Sequence, residues 1–427
     1  MTTSITNTPV LAPFNFQKLA WPSAENALES LKKRTPNTLL HGVPDSVKSF
    51  LMAWSYEKLQ ESQPWLLVTP TREEALILQD DLISWLPGVP VHLCPSWETL
   101  PQDVESPDPE LVGERQMVFY KLLQGESCIV ISPLMGALQC TLPPEEWLEK
   151  VLILKKDADA PLDLKERLVA MGYENVTQVV QLGQFAMRGG ILDLASPGSP
   201  SGPVRLEFFG ETLTSIRPLS ILNQRSSGDL SQVFIFPAHE IVLDATARQN
   251  LKQALRAKVK EESRWANTAL ELFNQTSRFP GWEWQGLGAL EKRGCLFDYL
   301  PKEARLFLVE PLAFERRWDD LQERLERCEK QAKEEGSDLF PPQDLFSDVR
   351  FLKKALGSGQ AAALGQLNQE LFQKKAATSQ EVLGRSLPSY FGKFVSFASD
   401  LKKWNAAGQR VLLWCHNRGE RERLSEL

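Results

Sequence analysis

The chain is short of the residues that usually announce a metal or a covalent active site. Its four histidines, His41, His92, His239 and His416, lie far apart, and none sits i, i+4 from another ligating residue. Isolated structural histidines are the simpler reading, and no metal site is expected. The six cysteines (Cys94, Cys128, Cys140, Cys295, Cys328, Cys415) show no CxxC spacing, and the N-terminus lacks a charged segment followed by an apolar run. Reduced thiols in a cytoplasmic protein are expected. No apolar stretch approaches the roughly twenty residues that span a bilayer, so no membrane partner is expected. A basic excess is also missing: the formal charge is -7, which argues against a dominant cationic face holding nucleic acid by counterion release, although a local stripe is compatible with it. No Ser/His/Asp, paired-carboxylate or metal constellation can be assembled, so no catalytic residue is assigned.

What is present is a globular composition on a long chain. With 427 residues, 42% apolar and 24% charged, the chain can bury substantial cores and should hold two to four domains. After a polar lead-in (1–34), strands are expected near residues 38–42, 65–68, 91–93 and 128–132, with helices over 48–61, 71–85 and 110–123 between them. Thr71 and Glu74 have capping-box spacing. This alternation implies a parallel sheet covered on both faces.

The loop from Gly42 to Ser49 lies between strand and helix, where a phosphate cradle would sit. It keeps Gly42, Lys48 and Ser49 of the GxxxxGK[ST] pattern, but Val47 replaces the second glycine. Pro44 removes one N–H donor, and Val47 adds a stiff β-branched side chain to a nest that needs inward-turned backbone amides. The two readings are a working nucleotide site and a relic connection, and these defects favour the relic. A second nucleotide element fails in parallel. The apolar strand 306–309 ends in Glu310 alone, followed by Pro311, where a Mg²⁺-holding acidic pair would be needed.

From about residue 142 the pattern changes to short strands joined by Gly/Pro/Ser turns, at 151–154, 176–180, 190–194, 204–209 and 212–217, with a helix capped by Asp163 and Glu166. At period 2, Val204, Leu206 and Phe208 take one face of a strand, and Arg205, Glu207 and Phe209 the other. An aromatic ring beside two charges on the wetter face is expected where something covers it: a partner, or else a loop or neighbouring domain. Strand character resumes at 233–236, a long helical region is expected over 245–275, and an amphipathic helix carries Phe314, Trp318, Leu321, Leu325, Cys328 and Ala332 to Gly336. Residues 337–386 read as linker with some helix. A helix bearing Phe394, Phe397, Leu401 and Trp404 follows, then a strand over 410–415 and a capped helix from Asn417, too little to close an α/β layer, so a longer parent protein is expected.

The stretch 185–194, the strand pair 204–217, Gln224-Arg225-Ser226, Pro237-Ala238-His239-Glu240, Trp97-Glu98-Thr99-Leu100-Pro101 and the helix through Arg115 and Tyr120 together resemble the UvrB-homology module of the bacterial transcription-repair coupling factor (Mfd) family. The tail from Tyr390 resembles the start of that family's next small domain. The resemblance implies an α/β fold: a UvrB-like parallel α/β domain of degenerate helicase type with an inserted, mostly antiparallel α+β domain, then the start of a second small α/β domain. The expected division is 1–34, 35–141, the insert 142–230, 231–336, a linker 337–386 and a truncated domain 387–427. The resemblance further implies that Arg188, Arg205 and Phe209 match positions that contact UvrA; the other reading of Arg188 is a turn residue bracing Gly189-Gly190. It implies no cofactor for this chain. ATP, Mg²⁺, RNA polymerase and double-stranded DNA would belong to the rest of an ATP-driven translocase. UvrB itself, an active ATP-binding subunit, is the alternative, disfavoured by the two degraded elements and by 91–107 being too short and Tyr-poor for a DNA-inserting hairpin.

Overall fold

The computed structural model describes residues 15–101, 103, 105–368, 376, 378–409, 411, 413 and 418–425. They divide into two compact units, Met1–Gly384 and Arg385–Leu427. The strands of the first unit are β1 (Thr38–His41), β2 (Trp65–Thr69), β3 (Val91–Leu93), β4 (Ile129–Pro133), β5 (Leu152–Lys155), β6 (Glu174–Asn175), β7 (Gln184–Arg188), β8 (Ile191–Leu194), β9 (Val204–Phe209), β10 (Thr212–Pro218), β11 (Gln232–Ile235), β12 (Arg305–Val309), β13 (Ala361–Leu364) and β14 (Thr378–Glu381).

Seven of these strands form the expected parallel sheet, in the order β14-β1-β13-β12-β2-β4-β3. Its strands are nearly continuous apolar runs because both faces are buried. Period-2 alternation sends Trp65, Leu67, Ile129, Ile131, Phe307 and Val309 into one core layer, and Leu66, Val68, Val130, Leu306 and Leu308 into the other. Thr71 caps the helix Arg72–Trp85 by accepting from the Glu74 amide at 3.2 Å. Burial pushes the Cys94, Cys128 and Cys295 thiols up to about 12, and the five described cysteines are free. No described helix is long and apolar enough to cross a membrane.

Between β4 and β12 the second sheet is inserted, in the order β10-β9-β8-β7-β6, antiparallel except for β6 with β7. The remaining two strands, β5 and β11, form their own antiparallel ribbon. Thus 232–235, expected to resume the parallel domain, pairs with the insert, because Val233 and Ile235 share a core with Leu154, Phe185, Leu192 and Leu206.

Three local expectations change and a fourth is refined. Residues 176–180 are not a strand: the Gln184 side-chain oxygen accepts from the Val180 and Gln181 amides, which turns the chain before β7. Asp163 does not cap its helix and instead accepts from Arg167 Nε at 2.8 Å. The helical region expected over 245–275 forms as two helices, Ala245–Lys260 and Arg264–Thr276, since Ser263 accepts from the Ala266 amide and starts the second. Residues 337–386 supply β13 and β14 to the parallel sheet.

In the second unit the helix Phe394–Ala406 forms as expected, with Tyr390 against Phe397 and Trp404 and its hydroxyl donating to Asp400. Helix Arg418–Ser425 follows. Most of the strand expected over 410–415, and Asn417, lie outside the described residues.

Candidate functional site

Strand register decides which insert side chains meet. Asp193 pairs with Arg205 and with Ala186; Ile191 pairs with Glu207 and with Arg188; Arg217 pairs with Arg205; Thr212 pairs with Phe209. Arg188, Ile191, Asp193, Arg205, Glu207, Phe209 and Arg217 therefore share one face, while Phe185, Leu192, Leu194, Val204 and Leu206 fill the core behind it. Phe209 is 84% exposed at the β9–β10 hairpin, whose Gly210 has φ +62°. No loop or neighbouring element covers this ring among the described residues.

Charges on this face are braced. Asp193, 1% exposed, receives Arg205 as a fork, Nε at 2.6 Å and Nη2 at 2.8 Å. Arg188 reaches the same carboxylate at 3.4 Å while its side chain stays mostly in solvent. Glu207 receives Arg217 at 2.6 Å. The fork holds the Arg205 pKa above its ordinary value, with the Asp193 hydrogen bond as the largest cause. A rigid, partly satisfied arginine thus stands beside an uncovered aromatic, with Ile191 also exposed. Such a surface loses little side-chain entropy on being covered.

The nucleotide-loop residues also come together, in a self-satisfied arrangement. Gly42 (φ +75°) donates to the Gln366 carbonyl and Val43 to the Gly365 carbonyl; Val47 donates to Pro44, and Pro44 has no donor. Lys48 Nζ lies 2.5 Å from Asp45 Oδ1 and 2.6 Å from Glu310 Oε1. Glu310 also accepts from the Gln366 amide, and Ser49 donates to Asp81. The chain leaving β14 lies over the loop: a Cβ on Gly42 would stand 3.1 Å from the Val382 carbonyl oxygen, and one on Gly384 would stand 3.1 Å from Val47. The Gly42, Val43 and Val47 amides and the Lys48 cation are engaged by this chain's own groups.

A family profile described as the UvrB interaction domain matches residues 152–241, the stretch that holds the braced face. The chain is 30% identical to the transcription-repair-coupling factor of Haemophilus influenzae over 297 residues, 69% of this chain and 25% of that protein. It is 27% identical to that of Bacillus subtilis over 434 residues, 94% of this chain and 35% of that protein. This chain is a relative of the transcription-repair-coupling factors. The matched region is their N-terminal one, and the chain spans between a quarter and about a third of the length of these relatives. The Escherichia coli factor agrees, at 30% identity over 67% of the chain.

This coupling-factor relative also shows why its scattered motifs travel together. Arg115, fully buried, forks onto Glu240 with Nε at 2.7 Å and Nη2 at 3.1 Å, and its Nη1 donates to the Pro95 and Gly136 carbonyls. Trp97 Nε1 donates to the same Glu240. Gln116 donates to the Pro237 carbonyl, and Gly113 and Gly198 touch backbone to backbone, with room for no Cβ on either. These contacts bind the C-terminal end of the insert and its β8–β9 loop to the helix Pro109–Leu123. Sequence reading quoted the Trp97, Arg115 and Glu240 segments without seeing that they form one buried ion cluster, and it missed Asp193. The available signal for Asp193 was an acid three residues past the Gly189-Gly190 turn, on the face of Arg205.

Proposed function

We propose that this chain is the UvrA-recruiting part of a transcription-repair coupling factor and that the β8–β9 face is its docking surface. One observation carries this reading: inside the stretch matched to the UvrB interaction domain, an uncovered Phe209 stands beside arginines held in place by a buried Asp193. Anchors of this kind, an aromatic ring with a preorganised guanidinium, dominate protein interfaces. Calorimetric titration of the chain into UvrA tests it. Phe209 has no packing role to lose, so Phe209→Ala should leave the melting temperature unchanged and weaken binding about thirtyfold, or roughly 2 kcal/mol. Absence of binding, or an equal affinity for the variant, sinks the proposal.

On the same reading, the parallel domain is a scaffold that neither binds nor hydrolyses ATP. The Lys48–Glu310 pair and the return segment at 382–384 support this, because a phosphate entering the loop would have to displace both. ATP with Mg²⁺ should give no saturable rise in melting temperature. A DNA-stimulated ATPase activity that is lost in Lys48→Ala would overturn this part. We assign RNA polymerase and double-stranded DNA binding to the whole coupling factor rather than to these residues, and place the chain in the cytoplasm.

A further inference from the structure

Where the insert hands the chain back to the helices that follow it, a cavity of about 260 Å³ is walled by Gly172, His239, Arg248, Ser277, Arg278 and Trp282. Neither arginine has an ion pair among the described residues. Arg248 lies over the Phe273 ring at 6.0 Å. Arg278 Nη1 is 2.8 Å from His239 Nε2, and His239 Nδ1 is 3.1 Å from Glu283 Oε1. A guanidinium can only donate, so Nε2 is the acceptor in the contact with Arg278. The imidazole stands between the buried carboxylate and the guanidinium. Glu283 is further engaged by Ser106.

Burial pulls the Arg278 pKa below its ordinary value, and Arg248 adds to the effect against the opposing Glu283 and Glu174. Its cation is thus incompletely neutralised by the protein. Gly172, at φ +99°, keeps the approach open: a Cβ there would come within 2.7 Å of His239 and 3.5 Å of Arg278 Nη2. The volume accommodates a tetrahedral oxyanion with several waters, at about 30 Å³ for each water.

We propose that this cavity binds the phosphate group of inorganic phosphate or of a small phosphate monoester, held between Arg248 and Arg278. Guanidinium forks match phosphate oxygens in geometry and charge. A ligand seated here touches the insert through Gly172 and the following helices through both arginines, so it stabilises their junction by mass action.

The test is a melting titration of the full chain with sodium phosphate against sodium chloride at equal ionic strength, then with glycerol phosphate. A saturable rise with phosphate and none with chloride is expected, with half-saturation at least tenfold higher in Arg248→Gln and in Arg278→Gln. Should Arg278→Gln fold poorly through loss of its His239 bond, Arg248→Gln decides, since it gives up only a ring contact. Tighter saturation by glycerol phosphate would identify an ester as the source, and the reverse would identify free phosphate. An equal rise with chloride, or unchanged half-saturation in Arg248→Gln, overturns the proposal.

Discussion

Arg115→Ala is expected to lower the unfolding free energy by about 3–5 kcal/mol, the range seen when one partner of a buried ion pair is removed. Both Arg115 and Glu240 are fully buried, and the guanidinium serves Glu240 twice while also satisfying the Pro95 and Gly136 carbonyls. Alanine would leave a buried carboxylate with the Trp97 indole as its main remaining donor, two carbonyls without their donor, and a void. Urea unfolding measures the loss. Arg115→Met with Glu240→Leu should recover most of it, because the uncompensated charge disappears with both partners. A single-variant cost under about 1 kcal/mol would mean that water reaches Glu240 and that the cluster is not the anchor described above.

The second large effect is expected at Arg205. Its fork onto Asp193 satisfies a carboxylate that is 1% exposed, and hydrogen bonds to charged groups contribute about 1.5–3 kcal/mol each. Arg205→Ala should therefore destabilise the insert by about that amount and also weaken UvrA binding on the order of tenfold. Arg188, at 3.4 Å and largely exposed, is too weakly placed to substitute. A double-mutant cycle with Asp193→Ala isolates the pair: a coupling of about 1–3 kcal/mol in stability is expected. If the two losses simply add, Asp193 is satisfied in some other way and Arg205 is not preorganised by it.

How much of this was legible in the sequence varies with the physics of each element. β2, β4 and β12 are apolar runs that only a doubly covered strand explains, and they were placed correctly. Gly42, Lys48 and Glu310 were nominated from motif spacing, and their meeting follows once β12 and β1 end on the same side of the sheet. β13 was invisible, because Ala361-Ala362-Ala363-Leu364 has the intrinsic preference of a helix. It becomes a strand through tertiary context, pairing with β1 on one side and β12 on the other in a position buried along its whole length. The 176–180 segment failed in the opposite sense: its valines favour a strand, but Gln184 takes the amide hydrogens that a ladder would use. Which face carried Phe209 was readable from period 2; what stood beside it depended on cross-strand register, which a single strand cannot reveal.

The strand order β1-β13-β12-β2 has a consequence for how the molecule is made. The first two strands of the parallel sheet to leave the ribosome are not neighbours; two strands from residues 305–364 must slot between them, and β14 closes the edge later still. The insert, in contrast, completes its pairing within residues 152–235. Nascent chains should therefore carry a folded UvrB interaction domain on an unfinished scaffold, with apolar strands waiting for late partners. Slow, non-local closure of this kind is where folding rates fall and aggregation begins.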